Sequence, residues 1–354
     1  MRNNLLAVGS FLVTILCWGI YGPLLHWGQD GMAAGEGTVI LRPFVCVGLA
    51  YFAIGVIVPI VLLQLWGEQG HWSVSGLIWS LAAGAAGAAG ALGLLFAFYF
   101  RGRPVYVMPL IFGGAPIVNS FLTIVLGRLK KHVNSVFGAG LVMVILGAVL
   151  VLVFRPGAAA GADEGGKWTD FIWQIVFIAI TIVCWGAYGP MLHKGQAAMD
   201  QSRLRPFLCV GLAYFLIAVL VPNTLLLTTL EEPSTYAQAG TLWSLLAGAA
   251  GAVGALGIIL AFNFGGRPVY VMPLVFGGAP VVNSFWTIVA AGRTSEVGTM
   301  FMTGLVLVLA GSVMVLIFAP RGAPPPPPKE SPKREDPEEA AWKTAEPEEA
   351  APDE

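Results

Sequence analysis

Polar side chains able to do chemistry are few in this chain, and most of them occur twice. Asn119 and Asn283 each lie inside a long apolar run and are followed by Ser120 and Ser284. An amide offers two donors and an acceptor to a neutral polar ligand, and can equally bond a neighbouring helix. "CWGIYGPLLH" carries Trp18, Tyr21 and His26, and "CWGAYGPMLH" repeats them as Trp185, Tyr188 and His193. The four aromatic rings offer flat walls for a ligand, or an interfacial belt. The two histidines titrate near neutral pH and read either as proton carriers or as helix-end residues at an interface. Arg42 and Arg205 open apolar runs in "LRPF". A guanidinium one turn inside a membrane is a site candidate, against the alternative of a snorkelling residue that marks the helix end.

The asparagines sit in two nearly identical stretches, "RPVYVMPLIFGGAPIVNSF" from Arg103 and "RPVYVMPLVFGGAPVVNSF" from Arg267. Pro109 and Pro116, with Gly113 and Gly114 between them, match Pro273, Pro280, Gly277 and Gly278. Each proline deletes a backbone donor, and the glycine pair permits bending, so a helix break is expected in both stretches. Arg103 and Arg267 stand just before the stretches, where they could anchor two gates at opposite ends.

The elements that position these residues follow from composition. Of 354 residues, 56% are hydrophobic and only 11% charged. A soluble domain carries about a quarter charged residues, so the chain reads as a polytopic α-helical membrane protein. Runs of about 20 apolar residues place spans near 5–27, 38–65, 76–99, 104–126 and 134–154, and again near 169–191, 204–229, 241–263, 268–290 and 298–318. The chain therefore divides into a first five-helix repeat (1–154), a linker (155–168), a second five-helix repeat (169–320) and a tail (321–354). The tail, with its Pro run and ten acidic residues after Lys329, lacks the apolar content for a core and is expected to be disordered, with or without a soluble partner.

An odd number of spans per half requires the second half to enter the membrane from the opposite side, as an inverted repeat. The excess of Lys and Arg on one side puts both termini in the cytoplasm, with the chain in a plasma membrane, or the inner membrane of a bacterium. Cys17, Cys46, Cys184 and Cys209 lie within spans without metal or redox spacing, so neither metal, cofactor nor disulfide is indicated. No HExxH, P-loop or paired intramembrane carboxylates occur, which argues against an enzyme.

The five-plus-five pattern, "LR" at the start of spans 2 and 7, and a Pro-opened span 4 followed by "GAGLVMVILGAVLV" resemble the EamA-like branch of the drug/metabolite transporter superfamily. The likeness runs from about residue 5 to 319 and lacks the acidic residue usual after span 4 in that family. It implies a secondary transporter with a central cavity built from spans 1–4 and 6–9. All ten acidic residues before the tail lie in loops or at span ends. This disfavours a cationic substrate and leaves a small neutral or anionic polar metabolite. A homodimer is compatible with this reading, and no nucleic-acid partner is implied. The alternative is a membrane scaffold or sensor that acts through its tail.

Overall fold

In a computed structural model of the chain, the described residues are 2–33, 39–65, 67–126, 134–154, 167–228, 232, 235–264, 268–290 and 297–318. The linker from 155 to 166, Arg267 and the tail lie outside them, as does the side chain of Pro273. Among the described residues all regular structure is helical, as hydrocarbon demands of a chain that must satisfy its own backbone. Nine helices among the described residues are long and apolar enough to cross a membrane. A further helix, Pro268–Ala290, contributes the apolar stretch Leu274–Ala290. The protein is thus an all-helical, multi-pass membrane protein.

Helix boundaries follow the sequence closely. Spans 4 and 9 are Pro104–Leu126 and Pro268–Ala290. Span 3 (Val74–Tyr99) begins at Ser73, whose hydroxyl accepts from the Gly76 N–H at 3.0 Å. Span 5 (Ser135–Val153) is capped in the same way by Asn134. Spans 8 and 10 are Gln238–Asn263 and Thr299–Phe318.

The helix breaks expected in spans 4 and 9 are corrected, and the prolines of spans 1 and 6 behave alike. Spans 1 (Arg2–Met32) and 6 (Trp168–Ala197) continue past Pro23 and Pro190, which do not interrupt them. Spans 4 and 9 are likewise unbroken α-helix through Pro109, Pro116 and the Pro280 position. The irregular backbone lies instead in spans 2 (Leu41–Leu65) and 7 (Leu204–Thr228). Each contains a π-helical stretch, Ala53–Ile57 in one and Phe215–Leu220 in the other. Pro59 and Pro222 follow closely and remove the donors that the Gly55 and Ala218 carbonyls would take four residues on. A π turn, which bonds five residues on, fits a ladder with that donor missing.

The halves interlock. Span 1 packs along span 8 and span 6 along span 3, span 2 crosses span 8 and span 7 crosses span 3, and spans 5 and 10 pack on each other. Individual contacts recur with the halves exchanged. Thr14 donates to the Gly254 carbonyl at 2.8 Å, and Thr181 to the Gly90 carbonyl at 3.2 Å. A Cβ on Gly84 would meet the Val210 backbone, and one on Gly248 the Val47 backbone. The Gly/Ala-rich faces of spans 3 and 8 therefore admit neighbouring backbones at close range, the packing expected of small residues in a membrane. Gly55 in the first π stretch and Gly211, in the α-helical turn before the second, touch backbone to backbone, since a Cβ on Gly55 would lie 3.0 Å from the Gly211 Cα.

Candidate functional site

Where the halves cross, the chain brings aromatic residues together. Tyr51 and Tyr214, each just before a π stretch, stack with ring centroids 3.8 Å apart and an interplanar angle of 2°. Trp18 packs edge-on to Phe276 at 6.3 Å, Phe276 to Phe112 at 6.1 Å, and Phe112 lies 6.4 Å from Trp185. Tyr21 meets Trp185 edge-on at 6.0 Å. Phe112 and Phe276 belong to the "FGGAP" segments, and Pro116 and Pro280 remove the helical donors of their two carbonyls. The prolines thus leave those carbonyls without their usual partners inside the ring cluster, without breaking the helix.

The indoles of Trp18 and Trp185 are fixed. Their Nε1 atoms donate to the Gly251 and Gly87 carbonyls at 3.1 and 3.2 Å. The glycine pairs act in packing: a Cβ on Gly114 would meet Ile182 at 2.7 Å, and one on Gly278 would meet Ile15 at 3.0 Å. Gly113 faces Val308 and Gly277 faces Val313.

At one end of this centre is a recess of about 250 Å³, lined among others by His26, Trp27, Asp30, Arg103, Pro104 and Thr287. Span 1 ends here, span 4 begins and span 9 ends. His26 lies 3.6 Å from Asp30 and 5.1 Å from the Phe98 ring. Among the described residues no carboxylate pairs with Arg103. Beneath the recess the buried Asn283 donates its amide to the Pro104 carbonyl at 2.9 Å, which joins spans 9 and 4. Its Oδ1, the Ser284 hydroxyl and His26 Nδ1 are buried without a protein partner. Ser120 is buried too, while Asn119 is half-buried with its amide against Gly189 of span 6. His193 is exposed.

No protein-family model and no curated protein matches the chain. A solved structure does. A protein described only by its crystal structure aligns over 88% of this chain and 97% of its own, at 18% identity and a TM-score of 0.54. That likeness is one of fold.

Arg42 and Arg205 stand apart from this centre. The Glu232 carboxylate accepts from the backbone N–H groups of Ile40 and Leu41 at 2.8 and 2.6 Å and lies 3.5 Å from the Arg42 guanidinium. Glu68 accepts from Arg203 and Leu204 at 2.8 and 3.2 Å, takes the Ser202 hydroxyl at 2.6 Å and lies 3.7 Å from Arg205. Each guanidinium also faces a ring from the same loop as its carboxylate, Tyr236 at 5.6 Å and Trp72 at 6.0 Å. These arginines clamp span starts to loops of the other half, and the carboxylates complement the positive helix ends. Sequence reasoning passed over Glu68, Glu232, Tyr51, Tyr214, Phe112 and Phe276. The repeat itself was the available signal, since each pair occupies matching places in the two halves.

Proposed function

We propose that the protein is a secondary transporter that moves a small polar metabolite, neutral or anionic, by alternating access. The observation that carries this reading is a recess, with His26, Asp30 and Arg103 in its wall, next to a hydrogen bond between spans of different halves, Asn283 to Pro104. A site at the meeting of two matching halves, reached from one end and closed by helices that can part, is what alternating access requires. The reciprocal helix packing and the resemblance to EamA-like transporters support it, and an inverted five-plus-five repeat with cytoplasmic termini belongs to the same reading. Non-enzymatic action without a cofactor belongs to the same reading.

Two experiments test it. Asn119→Ala and Asn283→Ala are each expected to lower solute uptake into proteoliposomes without lowering membrane insertion; unchanged uptake in both would remove the amides from the site. Truncation after Arg321 is expected to leave uptake intact. Complete loss in a folded, inserted truncation would favour the second reading, a scaffold or sensor working through the tail.

A further inference from the structure

The halves carry nearly the same residues, so unequal burial of counterparts reports conformation and not composition. Outward-facing counterparts agree: Phe121 and Phe285 are 63% and 68% exposed, as expected of side chains that face lipid. Inward-facing counterparts such as Val107 and Val271 agree too, but a set of them does not. Leu110 is 6% exposed and Leu274 48%. Tyr21, Leu25 and Phe112 are buried, while Tyr188, Leu192 and Phe276 are half-buried. At the asparagines of spans 4 and 9 the inequality reverses, with Asn283 buried and Asn119 half-buried.

The sign of each difference follows one geometric rule. Every looser residue lies in the last part of span 6, the first part of span 9 or the last part of span 4. With successive spans alternating in direction, those three segments share the end of the bundle at which span 1 begins. Every tighter counterpart lies in the last part of span 1, the first part of span 4 or the last part of span 9, at the other end. There Met108 fills the space against Gly22, within 2.7 Å of a Cβ position by its sulfur, and Asn283 bonds Pro104. At the matching place, a Cβ on Gly189 would lie 2.6 Å from the Asn119 amide nitrogen.

Building on the transport reading, we propose that Asn119, Tyr188 and Phe276 line a ligand site open toward the end where span 1 begins. Asn283, Tyr21 and Phe112 form the closed gate across the other end, with the recess at His26 and Arg103 lying outside that gate, and the two sets exchange roles during the cycle. An amide, a phenol and a ring are uncharged at neutral pH, so the site takes a small uncharged solute with a hydrogen-bonding edge and an apolar face.

Thiol labelling tests this in a chain with Cys17, Cys46, Cys184 and Cys209 replaced by serine. Leu274→Cys and Leu110→Cys report the two ends, and Phe121→Cys reports the lipid face. A charged, membrane-impermeant methanethiosulfonate is applied to reconstituted vesicles of each orientation. Leu274→Cys is expected to react at least tenfold faster than Leu110→Cys, and only from the side of the N-terminus. Equal rates, or a Leu274→Cys as unreactive as Phe121→Cys, would overturn the assignment. If the cysteine-free chain fails to insert, hydrogen exchange on the unmodified protein serves. The last part of span 6 and the first part of span 9 should exchange at least tenfold faster than their counterparts in spans 1 and 4, and equal exchange overturns the proposal. Uptake by the same vesicles keeps the two readings distinct. One-sided labelling without uptake of any solute upholds the open site and removes transport, whereas uptake with equal labelling upholds transport and removes the one-sided site.

Discussion

Valine at Gly90 or Gly254 is expected to abolish recovery of the folded protein, while valine at Gly9 or Gly138 leaves recovery unchanged. A Cβ on Gly90 would lie 2.2 Å from Trp185 Cδ1, and one on Gly254 would lie 2.3 Å from Trp18 Cδ1. Neither indole can swing aside without giving up its hydrogen bond to the Gly87 or Gly251 carbonyl. Overpacking costs about 1–3 kcal/mol, and a buried indole N–H left unpaired costs about 1–3 kcal/mol more. Together, at about 2–6 kcal/mol, these reach the lower end of the whole stability of an ordinary domain, about 5–15 kcal/mol. Nothing lies within 4 Å of a Cβ on Gly9 or Gly138, so those helical positions accept a side chain. Size-exclusion of detergent extracts distinguishes the two classes. Equal loss at Gly9 would point to impaired insertion and not to the glycine–tryptophan contact.

That contact also shows what the sequence made legible. Glycines every three residues in two Ala-rich runs announced close packing, and the structure supplies the partners: a tryptophan, a tyrosine and a threonine from the other half. Span ends were legible because apolar runs stop at polar caps such as Ser73 and Asn134. The role of proline was less so. Pro109 and Pro116 are tolerated inside a continuous helix, while Pro59 and Pro222, which drew no notice, follow the π stretches. A proline's local chemistry is the same in all four places, and the packing of the neighbouring spans decides whether the ladder widens.

The inequality between Leu110 and Leu274 could not be read from sequence at all, because identical residues in equivalent places have identical propensities. Only one conformation at a time separates them. Asparagine stood out in the sequence as a chemical group, and its two copies hold different positions: one joins span 9 to span 4, the other faces span 6. Symmetry in sequence therefore marks matching residues, and the structure tells which environment each occupies.

Removal of either clamp carboxylate is the second large expected effect. Glu68→Ala and Glu232→Ala should each lower thermal stability in detergent by about 2–4 kcal/mol, and by similar amounts. Glu232 serves the Ile40 and Leu41 N–H groups, a more distant Arg42 N–H at 3.3 Å and the Arg42 side chain. Its loss leaves span 2 uncapped and a mostly buried guanidinium without its charge partner. Arg42→Ala and Arg205→Ala should cost less, about 1 kcal/mol, because the carboxylate still caps the helix. Glutamine at position 68 or 232 should fall between, as it retains one acceptor oxygen. This ordering separates a clamp from a gating cation. An arginine that binds a translocated ion would make Arg42→Ala abolish uptake with no change in thermal unfolding, and the glutamate variants would then matter less than the arginine ones. A clamp predicts the reverse: glutamate loss dominates, and it does so equally in both halves.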